Sequence, residues 1–278
     1  MPKEMGVVYE DVKKCVDEII AQVGKDITFA MPLALGKPIR LVNELYRRAK
    51  ADPTMRLRIL TALPLEIPRG SSELEKRFYK DLIPRLFEGV PDIEYMLDYR
   101  AGKLPPNVEF YEFFSLAGTY IGHPYAQQRH LASNYTHVVR DAWDFGLNVF
   151  GNLIGYKEID GKMFYSMGCN ADICVEGLER VIDARAKGQK ILIVGEANKN
   201  MPFMYGDSVT EPDAYDMILR GPDFDYELFG APKDAVSDAD YMIGLNVSPL
   251  LKDGGTIQVG IGALGDAIVA GLVLRNDH

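Results

Sequence analysis

At 278 residues, with 47% hydrophobic and 26% charged residues, the chain has the composition of a globular protein able to bury a substantial core, which excludes a disordered one. A formal net charge of −9 argues against nucleic acid or an acidic membrane as partner, while leaving room for a local basic pocket for a phosphorylated ligand. Cys15, Cys169 and Cys174 form an odd set without framework spacing and read as ordinary thiols; with no signal-like h-region and no run of about 18 apolar residues, the expectation is a cytoplasmic protein without a membrane segment.

In chain order, residues 7–23 place Val8, Val12, Cys15, Val16, Ile19, Ile20 and Val23 on one helical face. DITFAMP follows as a short strand, residues 34–38 (ALGKP) as a glycine turn, and residues 38–50 as a helix with Ile39, Leu41, Val42, Leu45 and Tyr46 inward. Residues 55–65 become continuously apolar, as a strand inside a sheet does. Residues 71–87 predict a serine-capped helix that Pro84 should end or kink. The aromatic and proline-rich stretch 91–125 suggests short helices and loops at an edge or mouth rather than sheet core.

His123, His130 and His137 recur every seven residues, but Pro124 interrupts any shared helix and no carboxylate stands at a ligand offset. They read as surface or core-rim side chains, and no metal is expected. Residues 161–166 (GKMFYS), a helix from Asp172 to about Lys187 and the strand KILIV at 190–194 predict a β-α-β unit. Residues 196–208 form a polar loop at that strand's C-terminal end, where open α/β sheets bind ligands, and residues 238–250 predict a further helix.

The most informative stretch is residues 253–268, DGGTIQVGIGALGDAI. Thr256–Val259 reads as a strand, Gly260–Gly265 as a glycine loop and Asp266 as a helix cap. Amides at such a junction can face an anion or a developing oxyanion. Gly260, Gly262 and Gly265 also satisfy the dinucleotide fingerprint G-x-G-x-x-G, whose acidic ribose partner belongs about 20 residues further on, beyond His278. A turn without any ligand fits the pattern equally well. The alternation of strands and helices predicts one α/β domain with an open, mainly parallel sheet flanked by helices.

Three blocks, GKPIRLVNEL, ANKNMPFMYGDS and DGGTIQVGIGALGDAI, resemble the acetyl-CoA hydrolase/transferase family, the class I CoA-transferases that include 4-hydroxybutyrate and acetate CoA-transferases. The resemblance implies a CoA-transferase, NagB-RpiA-like fold, with residues 1–278 as its N-terminal domain. It implies oxyanion donation by the amides of Gly260, Ile261 and Gly262. Asn200, Met201, Pro202, Ala263 and Gly265 would contact the acyl-CoA. Two departures stand out. Gly265 and Asp266 replace the family's proline and asparagine or aspartate, and no glutamate follows Glu227, whereas the family's nucleophilic glutamate lies downstream of the glycine loop.

The expectation is therefore a half-enzyme, inactive alone, whose missing C-terminal domain carries the nucleophile. Its substrates would be a CoA thioester and a small carboxylate, with no permanently bound cofactor, and a homo-oligomer is expected. Transfer and hydrolysis are both open. A CoA-ester-binding regulatory module and an NAD(P)-binding oxidoreductase domain are the alternatives.

Overall fold

Successive side chains of a strand point to opposite faces of its sheet, and this period sorts the core. In β7 (Leu192–Ala197), Leu192 and Val194 join a cluster with Cys15, Val16, Ile19, Leu41 and Leu45, while Ile193 packs the other way against Val181 and Ala184. A strand buried on both faces must lie inside a sheet with helices on either side. The computed structural model describes residues 6–228 and 234–277, and the chain divides into two units, Met1–Phe229 and Gly230–His278.

The first unit opens with β1 (Val7–Tyr9), then α1 (Val12–Val23), β2 (Asp26–Ala30), α2 (Ile39–Ala51) and β3 (Arg56–Thr61). Asp11 caps α1, its carboxylate accepting from the Lys13 amide at 2.8 Å. The cap corrects the reading of one helix from residue 7, because the β-branched pair Val7–Val8 ahead of it forms a strand paired with Met217–Leu219. Next come α3 (Glu73–Leu86), α4 (Glu94–Arg100), β4 (Val108–Glu112), α5 (Pro124–Gln128) and α6 (Val138–Asp144). Pro84 is tolerated near the end of α3, which a Ser72–Glu75 capping box begins. Residues 91–125 do lie at an edge, with the short helix α4, but β4 corrects the reading of helices and loops alone, since its Val108 and Phe110 are buried in the core from an edge strand.

β5 (Val149–Ile159), β6 (Lys162–Ser166), α7 (Ala171–Ala186), β7, β8 (Val209–Thr210) and β9 (Met217–Leu219) complete this unit. The sheet order is β1-β9-β7-β5-β2-β3-β4, parallel throughout, with β6 and β8 added antiparallel beyond β5. The expected fold class, an open and mainly parallel sheet flanked by helices, is thus present. β6 pairs with β5 and not with β7, so the parallel strand that α7 links to β7 is β5. From β2 the chain winds through β3 to β4, and from β5 it winds the other way through β7 to β9. The sheet therefore has a topological switch point between β2 and β5.

The second unit contains α8 (Asp238–Val247), begun by a Ser237–Asp240 capping box, and α9 (Ala263–Asp277). Gly244 lets the helices touch: a Cβ there would lie 2.3 Å from the Ala267 carbonyl oxygen. The expected strand at Thr256–Val259 is absent among the described residues, and these residues are exposed without a ladder partner. β propensity yields a strand only where another strand supplies hydrogen bonds. The α9 helix starts at Ala263, so Asp266 sits in its first turn instead of capping it.

Candidate functional site

In the first unit, the C-terminal ends of the strands gather buried polar groups. Glu196, next to last in β7, is fully buried and reaches the first turn of α2, where its carboxylate accepts from the Leu41 amide at 2.9 Å and the Arg40 amide at 3.4 Å. A carboxylate at a helix N-terminus meets unpaired N–H groups and the positive end of the macrodipole. Tyr226 donates its hydroxyl to the same carboxylate at 3.1 Å. Burial still dominates, and it pushes the Glu196 carboxyl up to about 7.

Beyond β7, the loop that sequence analysis marked for ligand contact is tied into the fold. Asn198, fully buried, accepts from the Asn200 amide at 2.7 Å and donates to the Tyr226 carbonyl at 2.9 Å. Asn200 also donates through its side chain to the Tyr226 carbonyl at 3.0 Å. Met201 is buried against Leu153 and Tyr226, so it anchors the loop, while Asn200 is half-buried and Pro202 is exposed.

Further along the same sheet end, Lys37 is buried in the turn before α2. Its ammonium donates to the Pro32 carbonyl at 3.1 Å, to the Thr61 hydroxyl and to the Ala62 carbonyl. These acceptors belong to the ends of β2 and β3, so one side chain clamps two strand termini. Glu112, at the end of β4, is buried too and accepts from the Tyr120 hydroxyl at 2.8 Å. Burial lowers the Lys37 pKa against the pull of Glu112, and burial raises that of Glu112 against the pull of Lys37. Sequence reasoning gave no role to Glu196, Asn198, Lys37 or Glu112. A charged residue at the end of a wholly apolar strand, as in KILIVGEAN, was the available signal.

The glycine loop lies in the second unit. Gly260, Ile261 and Gly262 are exposed, and their amides make no hydrogen bond among the described residues. Gly262 has φ of +141°, a conformation other residues rarely adopt, and its carbonyl accepts from the Asp266 amide at 3.1 Å in the first turn of α9. Gly265 sits under the Gly260 carbonyl, which a Cβ would meet at 2.2 Å. Ala263 is half-buried at the start of the helix. Three unpaired N–H groups ahead of a 15-residue helix form an arrangement that can stabilise negative charge. The loop's base is held by Arg275, which donates to the carbonyls of Ser248 and Leu251 and to the Asp253 carboxylate at 3.0 Å.

No protein-family model matches the chain. A curated relative, the 4-hydroxybutyrate coenzyme A transferase of Clostridium kluyveri, is 36% identical over 85 residues, which are 31% of this chain and 19% of that protein. Two solved structures share the fold along nearly the whole chain. RipA from Yersinia pestis matches with a TM-score of 0.60 at 17% identity, over 96% of this chain and 53% of RipA. The 4-hydroxybutyrate CoA-transferase abfT-2 from Porphyromonas gingivalis matches with a TM-score of 0.51 at 18% identity, over 96% of this chain and 51% of that enzyme. Over those 85 residues the chain is thus similar in sequence to a CoA-transferase, and it shares the fold of both solved proteins. The matches span about half the length of these two solved proteins and a fifth of the curated one. Among the described residues, no helix is long and apolar enough to cross a membrane, and no cluster of His, Cys, Asp or Glu could hold a metal ion.

Proposed function

We propose that the chain is the N-terminal half-site of an acyl-CoA:carboxylate CoA-transferase or acetyl-CoA hydrolase. The observation that carries this reading is the glycine loop, which offers the unpaired amides of Gly260, Ile261 and Gly262 in a chain similar to a CoA-transferase. In this reading those amides stabilise the oxyanion that forms when a nucleophile attacks the thioester carbonyl, and Ala263 and Gly265 hold the loop's shape. Asn200 and Pro202, on the loop that Met201 anchors, are the first unit's residues proposed to contact the acyl-CoA.

The nucleophile is a glutamate in a second domain outside this chain. It displaces CoA to give an acyl-glutamyl anhydride; the CoA thiolate then attacks the glutamyl carbonyl, giving an enzyme thioester and the free acid. A second carboxylate or water resolves the thioester. Coenzyme A thioesters are substrates rather than resident cofactors, and the setting is cytoplasmic, with a homo-oligomer as the working form. The dinucleotide reading is disfavoured because the fingerprint requires a preceding strand, and Thr256–Val259 is unpaired.

The test is thioester exchange between acetyl-CoA and carboxylate acceptors, run on this chain and on any longer product of its gene. The reading expects exchange only where a downstream glutamate is present, and loss of exchange when that glutamate becomes glutamine. Full turnover by residues 1–278 alone would overturn the covalent scheme, and CoA-ester binding without turnover in every product would favour the regulatory module.

A further inference from the structure

Helix α3 carries an apolar face that nothing described in the first unit covers. Leu74, Phe78, Leu82 and Leu86 recur every four residues along its 14 residues, and Tyr79 and Ile83 widen the stripe. Leu74 is 70% exposed, Phe78 65% and Leu86 52%, and among the described residues none of this helix is buried. No other described helix or strand of the first unit packs along it.

The entry to the helix, by contrast, is fixed. Arg69 pairs with Asp92 at 2.6 Å and Glu66 with Arg100 at 2.9 Å, which ties the preceding chain to the body of the unit. Gly70 lies so close to the first turn that a Cβ would meet the Lys76 amide nitrogen at 2.5 Å, and the Ser72–Glu75 capping box starts the helix. The stripe is therefore held in a set direction. Helices of about 12–15 residues are marginal alone in water, and an amphipathic one takes its stability from whatever covers its apolar face.

The charges point to what covers it. The polar face mixes Glu73 and Asp81 with Lys76, Arg77 and Lys80, and the chain carries a net charge of −9, neither of which suits an anionic lipid surface. The helix is instead complementary to itself. Its first turn is acidic, with Glu73 and Glu75, and its last turn is basic, with Arg85, which makes no ion pair among the described residues. Glu75 stands three residues before Phe78 and Arg85 three after Leu82, so both border the stripe.

We propose that α3 is a self-association surface on which a second copy of this chain lays its own α3 antiparallel. In that pairing Phe78 of each copy meets Leu82 of the other, Leu74 meets Leu86, and Glu75 stands beside Arg85 of the other copy. A two-fold axis makes each contact occur twice. The helix dipoles also oppose each other favourably. A helix of 14 residues is about 21 Å long, so the contact is smaller than a standard interface and the dimer is weak and concentration-dependent. The inference goes beyond the acyl-transfer reading and does not depend on it.

Sedimentation velocity on the whole chain, over about 5 to 500 µM, should show a monomer–dimer equilibrium with a dissociation constant in the micromolar range. Phe78→Ser should weaken it by about tenfold or more, and should leave the thermal midpoint of the dilute protein nearly unchanged because the ring is exposed. Arg85→Glu sets a like charge against Glu75 and should weaken it by about three- to tenfold, since the contact occurs twice. Adding Glu75→Gln to Arg85→Glu removes that repulsion, keeps a residue able to complete the cap, and should recover most of the loss.

A monomer at every concentration overturns the proposal, and so does a dimer indifferent to Phe78→Ser. Dimerisation that needs Phe78 but ignores Arg85→Glu overturns the antiparallel pairing. A monomeric chain that sediments with phosphatidylcholine–phosphatidylserine vesicles, as its Phe78→Ser variant does not, makes the helix a lipid-binding face instead. Thioester exchange tests the chemistry separately, so either reading can fail without the other.

Discussion

Two loops carry the residues that the sequence marked for chemistry, and they differ in where their hydrogen-bonding groups go. The loop after β7 directs them inward: Asn198 and Asn200 bond to the Tyr226 carbonyl, the Lys199 amide donates to the Asp225 carboxylate at 2.8 Å, and Met201 is buried. The glycine loop leaves the amides of residues 260–262 unpaired and Ile261 fully exposed. Backbone groups satisfied internally cannot bind a ligand without losing a bond, whereas unpaired exposed ones can. The first loop is therefore built to hold a position, and the second to make a contact. Substitutions should follow that division: large stability effects at the buried strand ends and in the first loop, almost none in the second.

The largest effect is expected at Lys37. Lys37→Met leaves the Pro32 and Ala62 carbonyls and the Glu112 carboxyl without their buried cation. Breaking a buried ionic arrangement by removing one partner costs about 3–5 kcal/mol. Chemical denaturation should show that loss, and a cost under about 1 kcal/mol would mean that water or a rearranged side chain takes the place of the amine. Asn198→Ala comes next. It leaves the Asn200 amide without its acceptor and removes one donor to the Tyr226 carbonyl, at an expected cost of about 1–3 kcal/mol in the same measurement.

Glu196 sharpens the comparison through pH. Its carboxyl is raised from 4.5 to about 7 in the fold by burial, so the folded state holds a proton that the unfolded chain releases. A raised carboxyl contributes stability that is fully present below pH 4.5 and is lost as pH rises toward 7. Glu112 titrates in the same direction. Glu196→Gln should therefore flatten, without abolishing, the decline in stability between pH 4.5 and 7 followed by circular dichroism. An unchanged slope would show that the Leu41, Arg40 and Tyr226 donors keep the carboxylate ionised after all.

The sequence displayed the sheet where one signal dominated and concealed it where two competed. KILIV (residues 190–194) reads as a buried strand, and its last three residues, Leu192 to Val194, open β7, which runs on to Ala197. The central strand β5 escaped because glycines break its pattern. Gly151 gives way to the Phe29 ring, which a Cβ would meet at 2.6 Å, and Gly155 to the Met201 carbonyl at 2.9 Å. Both are demands of tertiary neighbours, and a single sequence does not display them. The error at Thr256–Val259 ran the other way: local propensity was right for a strand, but no described strand offers it a partner. For the candidate site, the glycine loop was legible because glycine spacing is a backbone signal. Glu196 and Asn198 were not, since their importance comes from Leu41, Arg40 and Tyr226, distant in the chain.

The smallest expected effect is the sharpest test of the division. Ile261 exposes its whole side chain, and nothing packs on it, so Ile261→Ser removes no buried area. Its stability change should stay within about 0.5 kcal/mol, as for exposed positions generally. The backbone amide that the proposed chemistry uses is untouched by that change. Substituting Gly262 is different, because its φ of +141° strains any side chain and would turn the amides at that point of the loop. Nothing lies within 4 Å of a Cβ there, so the exposed loop can relax out of that conformation, and Gly262→Val should leave denaturation of the chain nearly unchanged and yet lower thioester exchange in an active longer product by about 10²-fold or more, the cost of losing an oxyanion donor. If instead Gly262→Val unfolds the protein and Asn198→Ala does not, the roles assigned to the two loops are reversed.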